Sequence, residues 1–501
     1  MTLWTRRQLL ALGLAGAGSA AAGATGLWLT ADDSNTASID GVSADDLVQP
    51  QELRSHDGVL AISLTAATAR ARIGTRQAVV HTYNGTLPGP TLRVRSGDTV
   101  KVAMTNSLDT PTNMHVHGLH VSPEANGDNP FVSIEPGQSF SYEFVLPDDH
   151  PPGTYWYHPH RHGHVADQLA SGLYGAIIVE DEVPIPATRE RTLVVSDISL
   201  DDSGRPAAAS HPERMMGREG DTVMVNGQVR PRVVASPGER ERWRIVNACP
   251  SRFLRLSLDG QDIRLLGRDV GRLTRPLDIS EVVLAPGNRV ELLVDTREGN
   301  STLVAAPVDR GAMPGMMRAP RQRDTVSDHS LELLSLEVGG APVAELGPVP
   351  AGPAGRDLRL EPVATRRTVE FAMGMGGIGR TRDGMRGNGS MMSFTIDGKV
   401  FDPDRTDISV RAGTVEEWTL VNNSPMDHPM HLHVWPLQVL DGPDDEPPTW
   451  QDVVNIPAFG QVAVRVAFDD VVGRTVYHCH VLDHEDLGMM GTIQSRSAPD
   501  A

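Results

Sequence analysis

The sequence predicts an all-β protein made of three domains of similar size. Short runs rich in Val, Thr, Ile and Leu alternate with Gly, Pro, Asn and Asp, which is typical of strands separated by turns. No long stretch has the spacing of an amphipathic helix. A length of 501 residues suits about three domains. Pro-rich joints at 183–186 and 347–355 mark the divisions.

These joints predict domains at 45–183, 184–346 and 347–501, preceded by a signal and linker over residues 1–44. In that first segment Arg6 and Arg7 precede an apolar run rich in Ala, Gly and Leu. The pattern resembles a twin-arginine export signal, and a retained membrane anchor is the alternative. Export by this route would carry the folded protein to the extracellular medium, the cell wall or the periplasm.

Composition narrows the range of partners. No other apolar stretch is long enough to cross a bilayer, so no membrane span is expected in the mature chain. The net charge of −19 and the pI of about 5.4 argue against nucleic acid, for which a basic patch is expected. The acidic balance is compatible with cationic substrates, although a solvated surface explains it more simply.

Residues 476–489 carry the most specific pattern in the chain. Cys479 is flanked by His478 and His480, and His484 and Met489 follow. Two His, one Cys and a weak axial Met make a blue-copper electron-transfer site. Alternate side chains of a strand leave on opposite faces, so Cys479 is predicted to point away from its two neighbours. One strand would then serve two metal centres and connect them through a few covalent bonds.

The chain has one other cysteine, Cys249. Two cysteines in an exported protein would first suggest a disulfide. Because Cys479 belongs to the predicted ligand cluster, we interpret Cys249 as a buried, unpaired thiol.

A weak internal repeat predicts where further ligands lie. Residues 97–106, 238–247 and 413–422 each begin with Gly, continue as a strand and end with Asn. The positions nine and eleven residues beyond each Asn hold His115 and His117, Leu256 and Leu258, and His431 and His433. The outer domains thus offer histidines where the middle domain offers leucines.

A second register repeats this difference. The positions five and seven residues after Gly153, Gly299 and Gly473 hold His158 and His160, Val304 and Ala306, and His478 and His480. Residues i and i+2 of a strand share a face, so each His pair can direct both rings at one metal cluster. Four pairs in two domains predict a cluster clamped between the first and third domains, with the middle domain as a spacer.

With these motifs the sequence resembles the three-domain multicopper oxidases over essentially all of the mature chain. The resemblance rests on residues 115–118, 158–160, 428–433 and 478–489. It implies three cupredoxin-like Greek-key β-sandwich domains and four coppers. The implied ligands are His428, Cys479 and His484 with axial Met489 for type 1 copper, His115 and His431 for type 2, and His117, His158, His160, His433, His478 and His480 for the type 3 pair.

The family's reaction needs acids as well as metals. It oxidises a reductant one electron at a time at type 1 copper and reduces dioxygen to water at the three-copper cluster, which consumes protons. Glu485 matches the family's acidic relay position. Related metallo-oxidases have a second acid where this chain has Asn126, which cannot donate a proton as a carboxyl does. Either Asp128 takes this role from a shifted position or the relay differs.

The reductant stays open. Five methionines in a Gly-rich segment suit soft Cu(I), and they suit adaptable apolar contacts with an organic substrate equally well: Met373, Met375, Met385, Met391 and Met392. One hypothesis is a laccase-like oxidase of phenols, aromatic amines or pigments. Another is a metallo-oxidase acting on Cu(I), Fe(II) or Mn(II). A third is a copper-sequestering or scaffold protein of the cell envelope without turnover, although the complete ligand set argues against a degenerate scaffold.

Overall fold

The structure is a computed structural model that describes residues 46–311, 330–353, 355–375, 392–440 and 448–497. Six β-sheets fall into three successive pairs along these residues, so the all-β prediction is confirmed. The predicted signal and linker lie outside the described residues, as do two of the five methionines, Met385 and Met391.

The first pair of sheets is formed by nine strands and carries one short helix. Its elements are β1 (Glu52–Arg54), β2 (Val59–Ile73), β3 (Arg76–Tyr83), β4 (Thr91–Val94), β5 (Thr99–Asn106), β6 (His115–His117), β7 (Ser139–Val145), β8 (Gly153–His158), α1 (Val165–Ala170) and β9 (Gly175–Val179). The strand orders are β1-β4-β9-β8-β6 and β3-β2-β5-β7. The apolar faces of the two sheets enclose one core.

The second pair contains eleven strands. Its elements are β10 (Arg189–Ile198), α2 (His211–Met216), β11 (Thr222–Val225), β12 (Arg232–Ala235), β13 (Arg240–Asn247), β14 (Leu254–Leu258), β15 (Asp262–Arg268), β16 (Arg272–Ile279), β17 (Glu281–Leu284), β18 (Arg289–Asp295), β19 (Gly299–Ala306) and β20 (Leu331–Val338). The orders are β11-β10-β13-β18-β15-β16 and β12-β20-β19-β14-β17. Its core contains Cys249, and both cysteines are free and buried, which confirms the unpaired thiol.

The third pair also contains eleven strands and follows a 3-10 turn at Leu358–Leu360. Its elements are β21 (Val363–Met375), β22 (Met392–Ile396), β23 (Ile408–Arg411), β24 (Thr414–Asn422), β25 (His428–Leu432), β26 (Leu437–Val439), β27 (Thr449–Gln451), β28 (Val453–Ile456), β29 (Gln461–Phe468), β30 (Gly473–Cys479), α3 (Leu482–Asp486) and β31 (Met490–Arg496). The orders are β22-β21-β24-β29-β26-β27 and β23-β31-β30-β25-β28.

The repeat seen in the sequence is a repeat of topology. Its three strands are β5, β13 and β24, and each pairs in parallel with the first long strand of its own part, which is β2, β10 or β21. Each also pairs antiparallel with a later strand, β7, β18 or β29. The Asn that ends each repeated strand is buried and braces the loop that follows.

The three parts pack against one another near the C-terminal helix. Trp156, Val246 and Leu482, one from each part, belong to a single buried apolar cluster. The Asp486 carboxylate accepts hydrogen bonds from the backbone N–H groups at the start of α1. Residues 46–49, which the sequence analysis places at the start of the first domain, also hydrogen-bond to the middle sheets. Leu47 N donates to Arg232 O at 2.8 Å.

Candidate metal centres

One thiol and two imidazoles meet in the third part of the chain. Cys479 at the end of β30 places its Sγ 3.4 Å from Nδ1 of His428 and 3.9 Å from Nδ1 of His484. All three side chains are fully buried. Met489 is tied to the same group, because its N–H donates to His484 O at 2.9 Å and its carbonyl accepts from Cys479 N at 3.1 Å. The structure therefore brings together the four residues that the resemblance assigns to type 1 copper.

The partners of the two imidazoles fix where their protons lie. His484 Nε2 is 3.2 Å from the carbonyl oxygen of Met215, which can only accept, so Nε2 carries the hydrogen. His428 Nε2 is 2.7 Å from Ser424 Oγ, and that hydroxyl already donates to Asn422 Oδ1 at 2.6 Å. Both rings consequently turn an Nδ1 lone pair towards the sulfur of Cys479, as metal ligands do.

The thiol itself is held in a low-polarity environment. Burial raises the pKa of Cys479 above its ordinary value, and a backbone hydrogen bond from Val481 to Sγ at 3.4 Å partly opposes this. A bound cation has to displace the thiol proton, because the thiolate is the metal-binding form.

Eight further histidines meet where the first and third parts of the chain face each other. The pairing of β6 with β8 sets His115 opposite His158, and that of β25 with β30 sets His431 opposite His478. Three groups can be distinguished by their contacts, which are His115 with His431, His160 with His433 and His478, and His117 with His158 and His480. The groups overlap, because the ligand atoms of His115 also lie close enough to share an ion with His117 and His158, or with His431 and His433. The Nε2 atoms of the first group are 3.4 Å apart, and those of the second are 3.1–3.2 Å apart. The resemblance assigns the first group to type 2 copper and the other two groups to the type 3 pair.

These rings fit a bound cation. Three Nδ1 atoms lie within hydrogen-bond distance of carbonyl oxygens, those of His158, His431 and His478 at 2.9, 2.7 and 3.0 Å. The hydrogen is therefore on Nδ1, and Nε2 carries a lone pair. His115 Nδ1 pairs with the Asp128 carboxyl, and the Nε2 atoms of His115 and His431 face each other. The buried Nε2 lone pairs of His158, His431 and His478 suit a bound cation, and imidazole and thiolate donors suit copper.

The electrostatics favour neutral rings. Burial lowers the pKa of His158 and that of His428 to about 3, and it lowers the pKa of His431 well below its ordinary value. Neighbouring histidines lower the pKa of His158 and His431 further. Neutral imidazole is the form that binds a metal ion.

Asp128 lies beside this cluster and Asn126 does not. The Asp128 carboxylate oxygens are 2.9 and 3.0 Å from His115 Nδ1, and one of them accepts a hydrogen bond from Val116 N at 3.0 Å. Burial raises the pKa of Asp128 to about 8. Asn126 is exposed in the preceding turn. Of the two alternatives left by the sequence, the structure favours the shifted position.

Glu485 is the acid nearest to the second histidine group. Its Oε1 is 3.4 Å from His160 Nε2 and its Oε2 is 3.1 Å from His478 Nδ1. The side chain is fully buried, and neither contact has hydrogen-bond geometry, so both oxygens lack a partner among the described residues. A buried carboxyl in this position can hold a proton between two ligand-type rings.

Family models described as multicopper oxidase match residues 65–184, 194–319 and 379–499. The chain belongs to the multicopper oxidase family. A curated relative, multicopper oxidase mco of Staphylococcus haemolyticus, is 28% identical over 82% of this chain and 83% of its own length. Cell division protein FtsP of Edwardsiella tarda is 32% identical over 89% and 91%. A solved structure from Campylobacter jejuni, described as a multicopper oxidase and a metallo-oxidase, has a TM-score of 0.76 and 28% identity over 91% and 95%.

Sequence reasoning missed several residues of this multicopper oxidase that lie at the two centres. Ser424 and Met215 contact His428 and His484, the rings that the resemblance assigns to type 1 copper, and Asp452 and Arg289 lie beside the histidine cluster. None of them has a repeated spacing that could have indicated its role. Met215 and Arg289 belong to the middle part of the chain, so describing that domain as a spacer is incomplete.

Proposed function

We propose that this multicopper oxidase couples the one-electron oxidation of a small reductant to the four-electron reduction of dioxygen to water. Four bound coppers (one type 1, one type 2 and two type 3) would supply both redox reactions. The observation that carries the proposal is the end of β30, where Cys479 faces His428 while its neighbour His478 faces His433. One stretch of backbone thus joins the site that would accept electrons to the site that would use them.

The chain's own residues would divide the remaining work. His428, Cys479, His484 and Met489 would hold type 1 copper, and the eight clustered histidines would hold the other three. Glu485 would deliver protons, because its buried carboxyl lies within 3.4 Å of rings from both outer parts of the chain. Asp128 would orient His115 through Nδ1 and hold a second proton there.

The decisive comparison uses the two free cysteines. Cys479→Ser should abolish the blue thiolate absorption and the oxygen uptake of the copper-loaded protein, because the hydroxyl replaces the thiolate ligand. Cys249→Ser is the matched control, since this buried thiol lies in the middle core, and it should keep both properties. A Cys479→Ser protein that stays blue, or a fully loaded wild type with fewer than four coppers per chain, contradicts the proposal.

The reductant is proposed to be either Cu(I) or a phenol or aromatic amine. Met373 is buried in the core of the third part, so its sulfur is poorly accessible to an external ligand. Combined Met385→Leu and Met391→Leu substitutions keep apolar side chains and remove the thioether sulfur. They should reduce oxygen uptake with Cu(I) and leave uptake with a phenol unchanged if Cu(I) is the substrate. Met104→Leu in the first core is the control.

The similarity to a protein named for cell division motivates a second candidate, a copper-binding envelope protein without significant turnover. The complete set of buried ligands favours the oxidase, since a scaffold has no need of a thiol-bridged strand. A protein that binds four coppers and is reduced but consumes no oxygen would support this second candidate.

We also propose export by the twin-arginine route to a location outside the cytoplasm. Among the described residues, no helix has the length and apolar character needed to cross a membrane. Replacing Arg6 and Arg7 by Lys should retain the protein in the cytoplasm, measured by cell fractionation. Unchanged export would exclude the route.

A further inference from the structure

A turn of the middle part reaches the histidine cluster. Residues 285–288 connect β17 to β18, and Gly287 packs directly against a ring of the cluster. A Cβ placed on Gly287 would lie 2.9 Å from Nε2 of His480, and its φ of +89° also favours glycine. The next residue braces the turn, because Asn288 Nδ2 donates to Val453 O at 3.0 Å and to Asp269 Oδ2 at 2.7 Å.

The turn is followed by a fully buried arginine, Arg289, which begins β18 and binds a residue of the third part of the chain. Arg289 donates from Nη1 and Nη2 to the two carboxylate oxygens of Asp452, both at 2.6 Å. Its Nε donates to Thr154 O at 3.1 Å in the first part. Its own backbone N–H donates to Asp269 Oδ1 at 2.8 Å. A guanidinium held in this way fixes the plane of its carboxylate partner.

Asp452 in turn contacts two rings of the cluster. Its carbonyl oxygen accepts the Nδ1 hydrogen of His431 at 2.7 Å, and its Oδ1 lies 3.4 Å from His117 Nε2. Gly118 permits this approach, because a Cβ there would overlap the Asp452 carboxylate and lie 2.6 Å from Arg289 Nη2. Residues from all three parts of the chain therefore converge on one carboxylate beside the cluster.

We propose that Arg289 and Asp452 are positioning residues for type 2 copper. Arg289 of the middle domain would hold Asp452 in place, and the carbonyl oxygen of Asp452 would orient the His431 ring. The inference rests on the proposed function. The resemblance assigns only two imidazoles, His115 and His431, to type 2 copper, whereas it assigns six to the two type 3 coppers. Misalignment of His431 therefore removes half of the protein ligands at one site and leaves the type 1 ligands in place.

The test compares two Arg→Lys substitutions in buried ion pairs of the middle domain. Arg289→Lys keeps the positive charge and loses the pair of parallel hydrogen bonds that the guanidinium donates to Asp452. Arg191→Lys is the matched control. Arg191 donates two hydrogen bonds to the Glu241 carboxylate, at 2.7 and 2.8 Å, and this ion pair does not contact the cluster. Copper-loaded proteins are dialysed against graded EDTA, and copper per chain, the type 2 EPR signal and the blue absorption are measured. Arg289→Lys should lose type 2 copper at roughly 10–100-fold lower EDTA concentration and stay blue, while the control matches wild type.

Asp452→Asn provides a second variant with the same shape, an intact main-chain carbonyl and no charge to pair with Arg289. It should show the same selective loss of the type 2 signal. Retention of the type 2 signal by Asp452→Asn, or parallel loss of type 1 and type 2 copper in both variants, overturns the inference. The copper content separates this inference from the proposed function. A wild type with fewer than four coppers per chain refutes the proposed function. Four coppers per chain in the wild type and in both variants refute only the positioning role of Arg289 and Asp452.

Discussion

At the scale of single residues, five of the predicted ligand rings have a hydrogen bond that fixes their tautomer. A backbone carbonyl accepts the ring hydrogen of His158, His431, His478 and His484, and Ser424 accepts that of His428. Neither ring nitrogen of His117 or His480 has such a partner among the described residues. The chain therefore fixes the tautomers of those five rings without a metal. Preparation of this kind lowers the cost of ordering the ligands on binding and makes each outer partner important for affinity.

Glu485 is the residue for which the structure makes the sharpest kinetic prediction. Glu485→Gln keeps the shape of the side chain but cannot release a proton, so oxygen reduction should slow by about 100-fold or more. The type 1 absorption should still bleach at the wild-type rate when a reductant is added without oxygen. Stopped-flow absorption and oxygen uptake measure the two steps. Glu143→Gln, at an exposed position of β7, is the control. Wild-type turnover in Glu485→Gln would remove Glu485 from the relay.

At the scale of elements, a buried asparagine whose side chain hydrogen-bonds the following loop recurs in all three parts of the chain. Asn247 Nδ2 donates to Arg252 O and Leu284 O at 2.9 and 3.2 Å, and its Oδ1 accepts from Cys249 N at 3.1 Å. Asn106 and Asn422 brace their own loops in the same way. The loop after each of these strands leads to the next strand of its domain. In the outer domains that strand contains His115 and His117 or contains His431 and ends one residue before His433.

Asn247 allows this device to be tested away from the metal ligands. Asn247→Ala leaves two buried carbonyls and one buried N–H without partners, which should destabilise the protein by about 2–4 kcal/mol. The midpoint of thermal unfolding of the copper-free protein should fall by several degrees. Asn300→Ala, on an exposed part of β19, is the control, and an equal midpoint in both alanine variants would contradict the role.

The sequence carried information about elements that are locally encoded. Alternation along β30 correctly predicted that Cys479 and His478 face different centres, because the side-chain direction in a strand depends only on position. The repeated registers likewise placed His115 and His431 in matching strands. Asp452 and Arg289 could not be predicted in this way, since they are 163 positions apart and meet only when the domains pack. The position of Asp128 also depended on packing, because only the folded turn decides which of two neighbouring polar residues is buried.

At the scale of the whole molecule, the histidine cluster joins distant parts of the chain. Four of its rings come from residues 115–160 and four from residues 431–480, whereas the residues that the resemblance assigns to type 1 copper all come from residues 428–489. A metal bound between two domains stabilises their association as well as each site, since it binds the folded arrangement and not the unfolded chain. The two kinds of centre should therefore contribute differently to cooperative unfolding.

Removal of copper is expected to lower the midpoint of thermal unfolding and to broaden or split the transition, because the outer domains lose their shared ligand. Cys479→Ser, which removes only the type 1 thiolate, should retain a single sharp transition when loaded. His158→Ala with His160→Ala, which removes two rings of the cluster, should unfold like the copper-free protein. Differential scanning calorimetry of the loaded and copper-free forms measures this. Identical unfolding curves for the copper-loaded His158→Ala, His160→Ala protein and the copper-loaded wild type would show that metal does not hold the outer domains together. Protein contacts alone would then account for their association.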